Sequence, residues 1–419
     1  MFQFKTISMI GLGYIGLPTA ALFASRGLNV IGVDVRPSVV ETINAGRIHI
    51  VEPELAGIVA RAVALGTLRA TLRPEPADAF IVAVPTPFTD THEPDLSHIR
   101  AACTGIAPVL APGNLVILES TSPVGATEQM AVWLAELRPD LRFPQDAGEA
   151  ADIHVAHCPE RVLPGQVVRE LVENDRIIGG MTAKASAMAV ALYRIVVQGD
   201  CVVTDARTAE MCKLTENASR DVQIAFANEL SMICDRLGID VWELIRLANR
   251  HPRVKILQPG AGVGGHCIAV DPWFIVASAP EEAQLIRAAR MRNDSKPHWV
   301  LDKGRAAILD VLAADPARAM ADVTVACLGL AFKPNIDDLR ESPALAITAA
   351  FGRMGCKVLA VEPHVATLPA AFDGLPVTLA GVDAALGADV ICVLVRHDAF
   401  AGLRGRLPAG ARLIDVVGL

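Results

Sequence analysis

The stretch from Ile7 to Asp34 limits the fold more than any other part of the chain. Ile7 to Ile10 is a short apolar run. GLGYIG follows, Leu17 to Ser25 has helical composition, and Val30 to Val33 is a second apolar run ending at Asp34. Strand, glycine turn, helix and strand in that order form a βαβ unit, and such a unit belongs to a parallel sheet. Gly11 permits the tight turn, Gly13 lets backbone approach a pyrophosphate, and Gly16 lets the helix pack on the strand. The N–H groups at the helix start then face the phosphates. Asp34 closes the second strand about 20 residues beyond the glycines, where a carboxylate accepts from a ribose 2′-hydroxyl and repels a 2′-phosphate. A glycine-rich turn alone would read as plain structure. With Asp34 in place the implied ligand is NAD rather than NADP, and neighbouring Arg36 is the one feature pulling the other way.

The alternation continues beyond this unit. Ala79 to Val84, Leu115 to Glu119 and His154 to His157 are strand candidates separated by helical patterns, which is the layout of a doubly wound sheet. The texture changes near residue 205. Residues 205–237 contain neither Gly nor Pro and predict one long helix. Residues 239–250, with Trp242, Ile245 and Leu247, predict another, and residues 251–272 form a Gly- and Pro-rich loop. From 321 the first pattern returns, with strands at Val323–Leu328, Lys357–Val361 and Val390–Val395 and a helix at Pro343–Met354. The expected fold is α/β: two Rossmann-like, doubly wound parallel-sheet domains joined by a long central helix, divided as 1–204, 205–300 and 301–419.

Composition narrows the function. Of 419 residues, 52% are apolar and 20% charged, so a disordered chain is excluded. A net charge of −8 without any basic run argues against a nucleic-acid partner. Residues 6–25 and 101–118 carry no charge, but glycines and prolines interrupt both, so neither reads as a membrane segment or leader. Nine cysteines, an odd number without a CxxC pair, fit neither a disulfide framework nor a zinc ribbon and point to the reducing cytoplasm.

One of those cysteines stands apart. Cys267 sits in PGAGVGGHCIAVDP, after glycines 260, 262, 264 and 265. So little side-chain bulk lets backbone approach a ligand and leaves a thiol accessible, which favours a nucleophile. The other eight read as small buried hydrophobes. His266 is adjacent, but neighbouring side chains diverge, so no Cys–His dyad is expected. Lys213, Asn217 and Arg220 recur at i, i+4 and i+7, within about 60° on a helix. They form either a solvated polar stripe or one wall of a cleft, with Met211, Leu214 and Phe226 expected on the core side. Arg253 in the HPR run His251–Arg253 can bind phosphate or serve a turn. His154, His157 and Cys158 do not make a metal site, because strand positions 154 and 157 face opposite ways; no metal is expected.

Together these motifs resemble the UDP-glucose/GDP-mannose dehydrogenase family over essentially the whole chain. The resemblance rests on IGLGYIGLPTA, VPTPF, ESTSPVG, CPERVLPGQ, MCKLTENASRDVQIAFANELS, NRHPRV, GVGGHCIAVDPWFIV and GLAFKPNIDDLRESPA. It implies a four-electron oxidation of a sugar C6 alcohol to a carboxylate, with two NAD reduced per turnover. Cys267 would form a thiohemiacetal and then a thioester. Lys213 and Asn217 would stabilise oxyanions, Asp271 would support Lys213 or a water, Glu160 would lie near the hydrolytic water, and Thr121 would order a water by the cofactor. Tyr14, Ile15, Asp34, Thr86 and Thr127 would contact NAD, and Arg340 would reach it. Arg161, Val162, Arg220, His251, Arg253 and Gly264 would contact a UDP-sugar together with Lys213 and Asn217, and Phe332 and Lys333 would hold its nucleotide. The family also implies a homodimer or larger assembly with the long helix at the interface, where Arg253 can serve a neighbouring subunit.

Two departures from the UDP-glucose branch mark the substrate. Val270 stands where that branch carries Lys, and Arg161 where it carries a bulky apolar residue. Both match the branch acting on N-acetylated hexosamines. Within it the resemblance favours UDP-N-acetyl-D-mannosamine, oxidised for a surface polysaccharide, although no spacing distinguishes C2 epimers. UDP-N-acetylglucosamine and UDP-glucose are the alternatives within the family. A two-electron hydroxyacid dehydrogenase would have no need of Cys267, and a non-catalytic NAD-binding regulator would not need Cys267, Lys213, Asn217 and Asp271 together.

Overall fold

Eight strands build the first sheet: β1 (Thr6–Ile10), β2 (Asn29–Val33), β3 (Leu68–Thr71), β4 (Ala79–Val82), β5 (Leu115–Leu118), β6 (His154–His157), β7 (Arg176–Gly180) and β8 (Cys201–Asp205). Their order is β3-β2-β1-β4-β5-β6-β7-β8. Alternate residues explain why the sheet is covered on both faces. Ile7, Met9, Ile81 and Ile117 enter one core with Leu17 and Phe23 of the helix Gly16–Ser25. Ile10, Phe80, Val82, Val116 and Leu118 enter the other with Met130 and Leu134 of the helix Ala126–Leu137.

This computed structural model describes every residue except Met1, Val51, Asp90, Leu163, Pro164 and His266. It divides into two units, Met1–Glu216 with Ala277–Ala279, and Asn217–Val276 with Pro280–Leu419. The helix Ala206–Leu237 is continuous through the boundary. No described helix is long and apolar enough to cross a membrane.

The first sheet departs from the expectation of uniformly parallel strands. β6 and β7 pair antiparallel, with Ala156 opposite Gly180, and β8 then adds in parallel to β7. The sequence concealed this edge because β7 ends in two glycines and β8 exposes Val202 and Val203, so neither reads as a buried apolar run. Those glycines are required. A Cβ on Gly179 would come within 2.6 Å of Ala209 Cβ and Asp205 O.

The second unit carries β9 (Thr324–Leu328), β10 (Lys357–Val361), β11 (Val377–Leu379), β12 (Val390–Val393) and β13 (Arg412–Asp415). They are ordered β11-β10-β9-β12-β13 and all parallel. Its core joins Val325, Leu328, Val390 and Val393 to Ile347 and Phe351 of the helix Pro343–Arg353 and to Val300 and Ile308 of the helix Gln284–Ala314. In each sheet the strand order reverses beside its first strand, at β1/β4 and at β9/β12. The crevice beyond the strand ends at such a point is where open α/β sheets bind ligands.

The two sheets share one local device. Gly11 N–H donates to Val33 O and Gly329 N–H donates to Val361 O, both at 2.8 Å. Both glycines have positive φ, 95° and 89°. Leu12 N–H then reaches Asp34 Oδ2 at 3.3 Å, and Leu330 N–H reaches Glu362 Oε2 at 2.7 Å. The same strand–loop–strand–carboxylate arrangement therefore occurs twice.

On the long helix, Leu214 is buried as expected, whereas Met211 and Phe226 are exposed. Phe226 joins Ile233 and Leu237 in an exposed stripe at i, i+7 and i+11, which one helical face presents together. Buried small residues line two faces of the helix, Ala218 and Ala225 on one and Ala227 and Cys234 on the opposite one.

Candidate active site

In the first unit the glycine loop is shaped by close backbone contacts. A Cβ on Gly11 would overlap Ala83 O, and one on Gly16 would overlap Gly11 O, whereas Gly13 has nothing within 4 Å of its Cβ position. Two glycines thus serve packing and the third leaves room for a ligand. The helix that follows has no side-chain cap and no acidic residue in its first turn, so its N-terminal end keeps its affinity for anions. These features fit the pyrophosphate of NAD. Gly16→Ala is expected to lose about 1–3 kcal/mol of stability through overpacking and to weaken NAD binding at the same time. Thermal melting with and without NAD checks this, and an unchanged melting temperature and NAD shift would contradict it.

Asp34 is buried and accepts from Leu12 N, Arg36 N and Arg36 Nε. Burial acts to raise its pKa, but the hydrogen bonds and charge of Arg36 outweigh burial and hold the carboxyl below its usual range. Arg36 is 58% exposed and can move aside for a ribose. Tyr14 is exposed and Ile15 half-buried, both on the loop. Thr86, beyond the end of β4, is half-buried, and its hydroxyl has no partner among the described residues. Thr121, beyond β5, is also half-buried. Thr127, expected as a cofactor contact, starts the helix Ala126–Leu137 with Ala126. It is fully buried, and its hydroxyl and backbone N–H both donate to Glu210 Oε1, at 2.6 and 2.8 Å. The hydroxyl spends its donor on Glu210 and keeps its acceptor positions.

A second cluster of the first unit surrounds Glu160. Burial pushes this carboxyl up to about 7, opposed by the charges of Lys213 and Arg176. Its Oε1 has no hydrogen-bond partner among the described residues. Lys213 is buried on the long helix. A buried carboxyl that titrates near neutrality beside a buried ammonium is suited to general base chemistry. Behind it, buried Arg176 pairs with buried Glu119, which also accepts from Tyr193 at 3.0 Å. Arg161 pairs with Glu216 at 2.6 Å, and Val162 packs against the apolar core.

In the second unit the cysteine loop lies flat because its glycines allow it. A Cβ on Gly262 would press on Pro343 and Pro297 at 3.0 and 3.1 Å. One on Gly264 would overlap Glu341 O and come within 2.9 Å of Phe332 Cβ; one on Gly265 would meet the Phe332 ring at 3.0 Å. Gly264 and Phe332, both expected on the UDP-sugar, are thereby brought together. Lys333 Nζ lies 5.8 Å from the Phe332 ring centre. Arg340 is exposed and pairs with Asp338 at 2.6 Å.

Cys267 is exposed, while six other cysteines are buried and two half-buried, all as thiols. Its carbonyl accepts from Val270 N and Asp271 N at 3.1 and 2.9 Å, a turn leading into the helix Asp271–Ser278. Asp271 is buried, and Asn217 Nδ2 donates to its Oδ2 at 2.5 Å. This bond orients the Asn217 amide. Arg220, His251 and Arg253 are exposed, and His251 Nδ1 accepts from Arg253 N at 3.3 Å. His266 lies outside the described residues.

Sequence reasoning missed a buried polar set beside this loop: Asp221, Asn228, Arg290 and Asn293. A signal existed, since these residues recur at helical spacing on the core-facing sides of two long helices, where buried polar groups require partners.

A glycine loop fitted to a pyrophosphate, an acidic residue placed for a ribose and an exposed thiol on a second Rossmann-type unit define an NAD-dependent oxidoreductase. The chain belongs to the UDP-glucose/GDP-mannose dehydrogenase family: that family's NAD binding domain matches residues 5–197, its central domain 207–295 and its UDP binding domain 326–418. The chain is 63% identical over 419 residues to the UDP-N-acetyl-D-mannosamine dehydrogenase of Salmonella typhi, covering 100% of this chain and 99% of that protein. It is 64% identical over 404 residues to the NDP-N-acetyl-D-galactosaminuronic acid dehydrogenase of Ralstonia nicotianae, covering 96% of this chain and 93% of that one. The solved structure of a UDP-D-ManNAc dehydrogenase from Pyrococcus horikoshii superposes with a TM-score of 0.84 at 38% identity, over 98% of this chain and 99% of the other.

Proposed function

We propose that this protein oxidises UDP-N-acetyl-D-mannosamine at C6 to UDP-N-acetyl-D-mannosaminuronate, consuming two NAD and one water, in the cytoplasm. The exposed thiol of Cys267 on its glycine loop carries the chemical part of this reading. The full-length similarity to a UDP-N-acetyl-D-mannosamine dehydrogenase supports the sugar. Residues 1–204 serve NAD, 205–300 carry the cysteine and the subunit contact, and 301–419 hold the uridine nucleotide. The exposed stripe of Phe226, Ile233 and Leu237 supports a homodimer formed along the long helix.

NAD, when bound, supplies the hydride acceptor for both oxidations. Gly11, Gly13 and Gly16 would hold its pyrophosphate and Asp34 its ribose, with Tyr14, Ile15, Thr86 and Arg340 as further contacts. Phe332, Lys333 and Gly264 would hold the nucleotide of the substrate, and Arg161, Val162, Arg220, His251 and Arg253 would hold the remainder. The C6 hydroxyl proton passes to a water ordered by Thr121, while Lys213 donates to the same oxygen. The Cys267 sulfur then bonds to the aldehyde carbon, its proton passes to the aldehyde oxygen, and a tetrahedral thiohemiacetal results. Lys213 and the N–H of Asn217 not engaged by Asp271 donate to the oxyanion. Loss of the second hydride, with the hydroxyl proton passing to the ordered water, leaves a thioester. Glu160 takes a proton from water, the oxygen attacks the thioester carbon, and the C–S bond breaks to restore Cys267.

A second reading keeps this chemistry on the galacto-configured sugar, favoured by the Ralstonia relative. Limiting UDP-N-acetyl-D-mannosamine is expected to yield two NADH per sugar, with little from the N-acetylglucosamine, N-acetylgalactosamine and glucose nucleotides. One NADH per sugar would remove the role of Cys267. Preference for another sugar would keep the chemistry and replace the substrate.

A further inference from the structure

The second unit contains a polar chain with a buried centre that the scheme above does not use. Gly260 N–H donates to Asn228 Oδ1 at 2.9 Å, and Asn228 Nδ2 donates to Asn293 Oδ1 at 2.9 Å. Asn293 Nδ2 donates to the backbone oxygen and Oδ1 of Asp221 at 3.0 and 2.7 Å. Asp221 pairs with Arg290, and the same Arg290 nitrogen donates to Ile268 O at 3.4 Å. Arg290 also binds Asp294 at 2.8 Å. Asp221, Asn228 and Arg290 are fully buried, and Asn293 is 1% exposed.

We propose that Asn228, Asn293, Asp221 and Arg290 form a positioning relay that fixes the Cys267 loop at both ends, through Gly260 N–H and Ile268 C=O, and so sets where the sulfur stands. The direction of the bonds supports this. From Gly260 through the two amides every donor points towards the Asp221 carboxylate, and Arg290 closes the path back to the residue beside Cys267. Each amide uses its oxygen and its nitrogen, so neither can rotate without losing two bonds. An apolar core could hold the two long helices together at lower desolvation cost. What an apolar core cannot do is grip one N–H and one C=O of an otherwise glycine-rich loop. Such a grip matters to a nucleophile, since misplacement of about 1 Å can cost on the order of 100-fold in rate.

This inference rests on the proposed role of Cys267, and its test separates the two. Asn228→Ala removes the tether at Gly260 without exposing a charge. It is expected to lower kcat roughly 10- to 100-fold while KM for the UDP-sugar stays nearly constant. Because the thiol captures the aldehyde late, the variant should also release aldehyde, trapped by hydroxylamine as an oxime and detected by mass spectrometry. Its rate of Cys267 alkylation by iodoacetamide should change several-fold. Arg290→Lys, which keeps the charge, should show the same pattern more weakly. In the unaltered protein the Gly260 amide should exchange with deuterium as slowly as the core strands, a readout that needs no variant to fold. Fast Gly260 exchange would overturn the proposal, as would an Asn228→Ala protein with unchanged alkylation and no oxime. If the unaltered enzyme releases a single NADH per sugar, the reading of Cys267 fails, while the exchange and alkylation results still judge the relay.

Discussion

Replacing Cys267 by alanine is expected to lower uronate formation by about 10³-fold or more, while binding of NAD and UDP-sugar is retained. The reason is the geometry at C6. The aldehyde carbon is trigonal, and a hydride leaves it readily only after a nucleophile has made it tetrahedral and placed negative charge on the oxygen. Cys267 is the described cysteine that combines exposure with a glycine loop. The others are at least half-buried, and burial pushes the Cys103 thiol up to about 12. A single-turnover experiment with one equivalent of UDP-sugar should show NADH stopping at or below one equivalent, with the aldehyde trapped as its oxime. Uronate production at the unaltered rate would exclude the covalent route.

Lys213→Met should be nearly as damaging, about 10²- to 10⁴-fold in kcat, with a diagnostic change in pH dependence. Burial raises the Glu160 carboxyl to about 7, and Lys213 opposes that rise. Loss of the ammonium leaves burial less opposed, so the Glu160 pKa moves higher still. A base acts only when ionised, so the acidic limb of the rate profile should move to more alkaline pH in the variant. The rate should recover as pH is raised, and Glu160→Gln should remove that limb. A profile that only scales down, with its acidic limb in place, would show that the two side chains are not electrostatically coupled.

What was legible in the sequence was what depends on near neighbours. β1, the glycine loop, the following helix and β2 form a local pattern, and their boundaries emerged within a residue or two. The same holds for β9, β10 and the helix Pro343–Arg353. The helix Gln284–Ala314 was not legible, because Pro297 and a high density of charge interrupt its apolar period. The antiparallel pairing of β6 and β7 was hidden because strand direction is a property of the pair and not of either strand. At the site, motifs placed Cys267, Lys213, Asn217 and Asp271 on the list of candidates, yet could not say which touched which. Thr127 illustrates the limit. Its motif could not show that Glu210, 83 positions away, accepts from its hydroxyl. Asn228 and Asn293 were overlooked for the same reason: each is unremarkable until the other is placed beside it.

The repeated carboxylate has a consequence for the traffic of molecules through one turnover. Asp34 is covered by Arg36, an exposed side chain that can swing away. Glu362, its counterpart, accepts from the backbone of Leu330, Ala331 and His364 and from the ring of fully buried His397 at 3.0 Å. Three of these bonds fall on Oε2 and one on Oε1, and all come from backbone or a buried ring, so Glu362 is held by its own loop where Asp34 is covered by a mobile side chain. The proposed oxidation calls twice on the seat beside Asp34. The first reduced cofactor must depart and a fresh one arrive while the half-oxidised sugar waits inside the enzyme. Retention of that intermediate, more than either bond-breaking event, is then what the second unit and its cysteine loop have to secure.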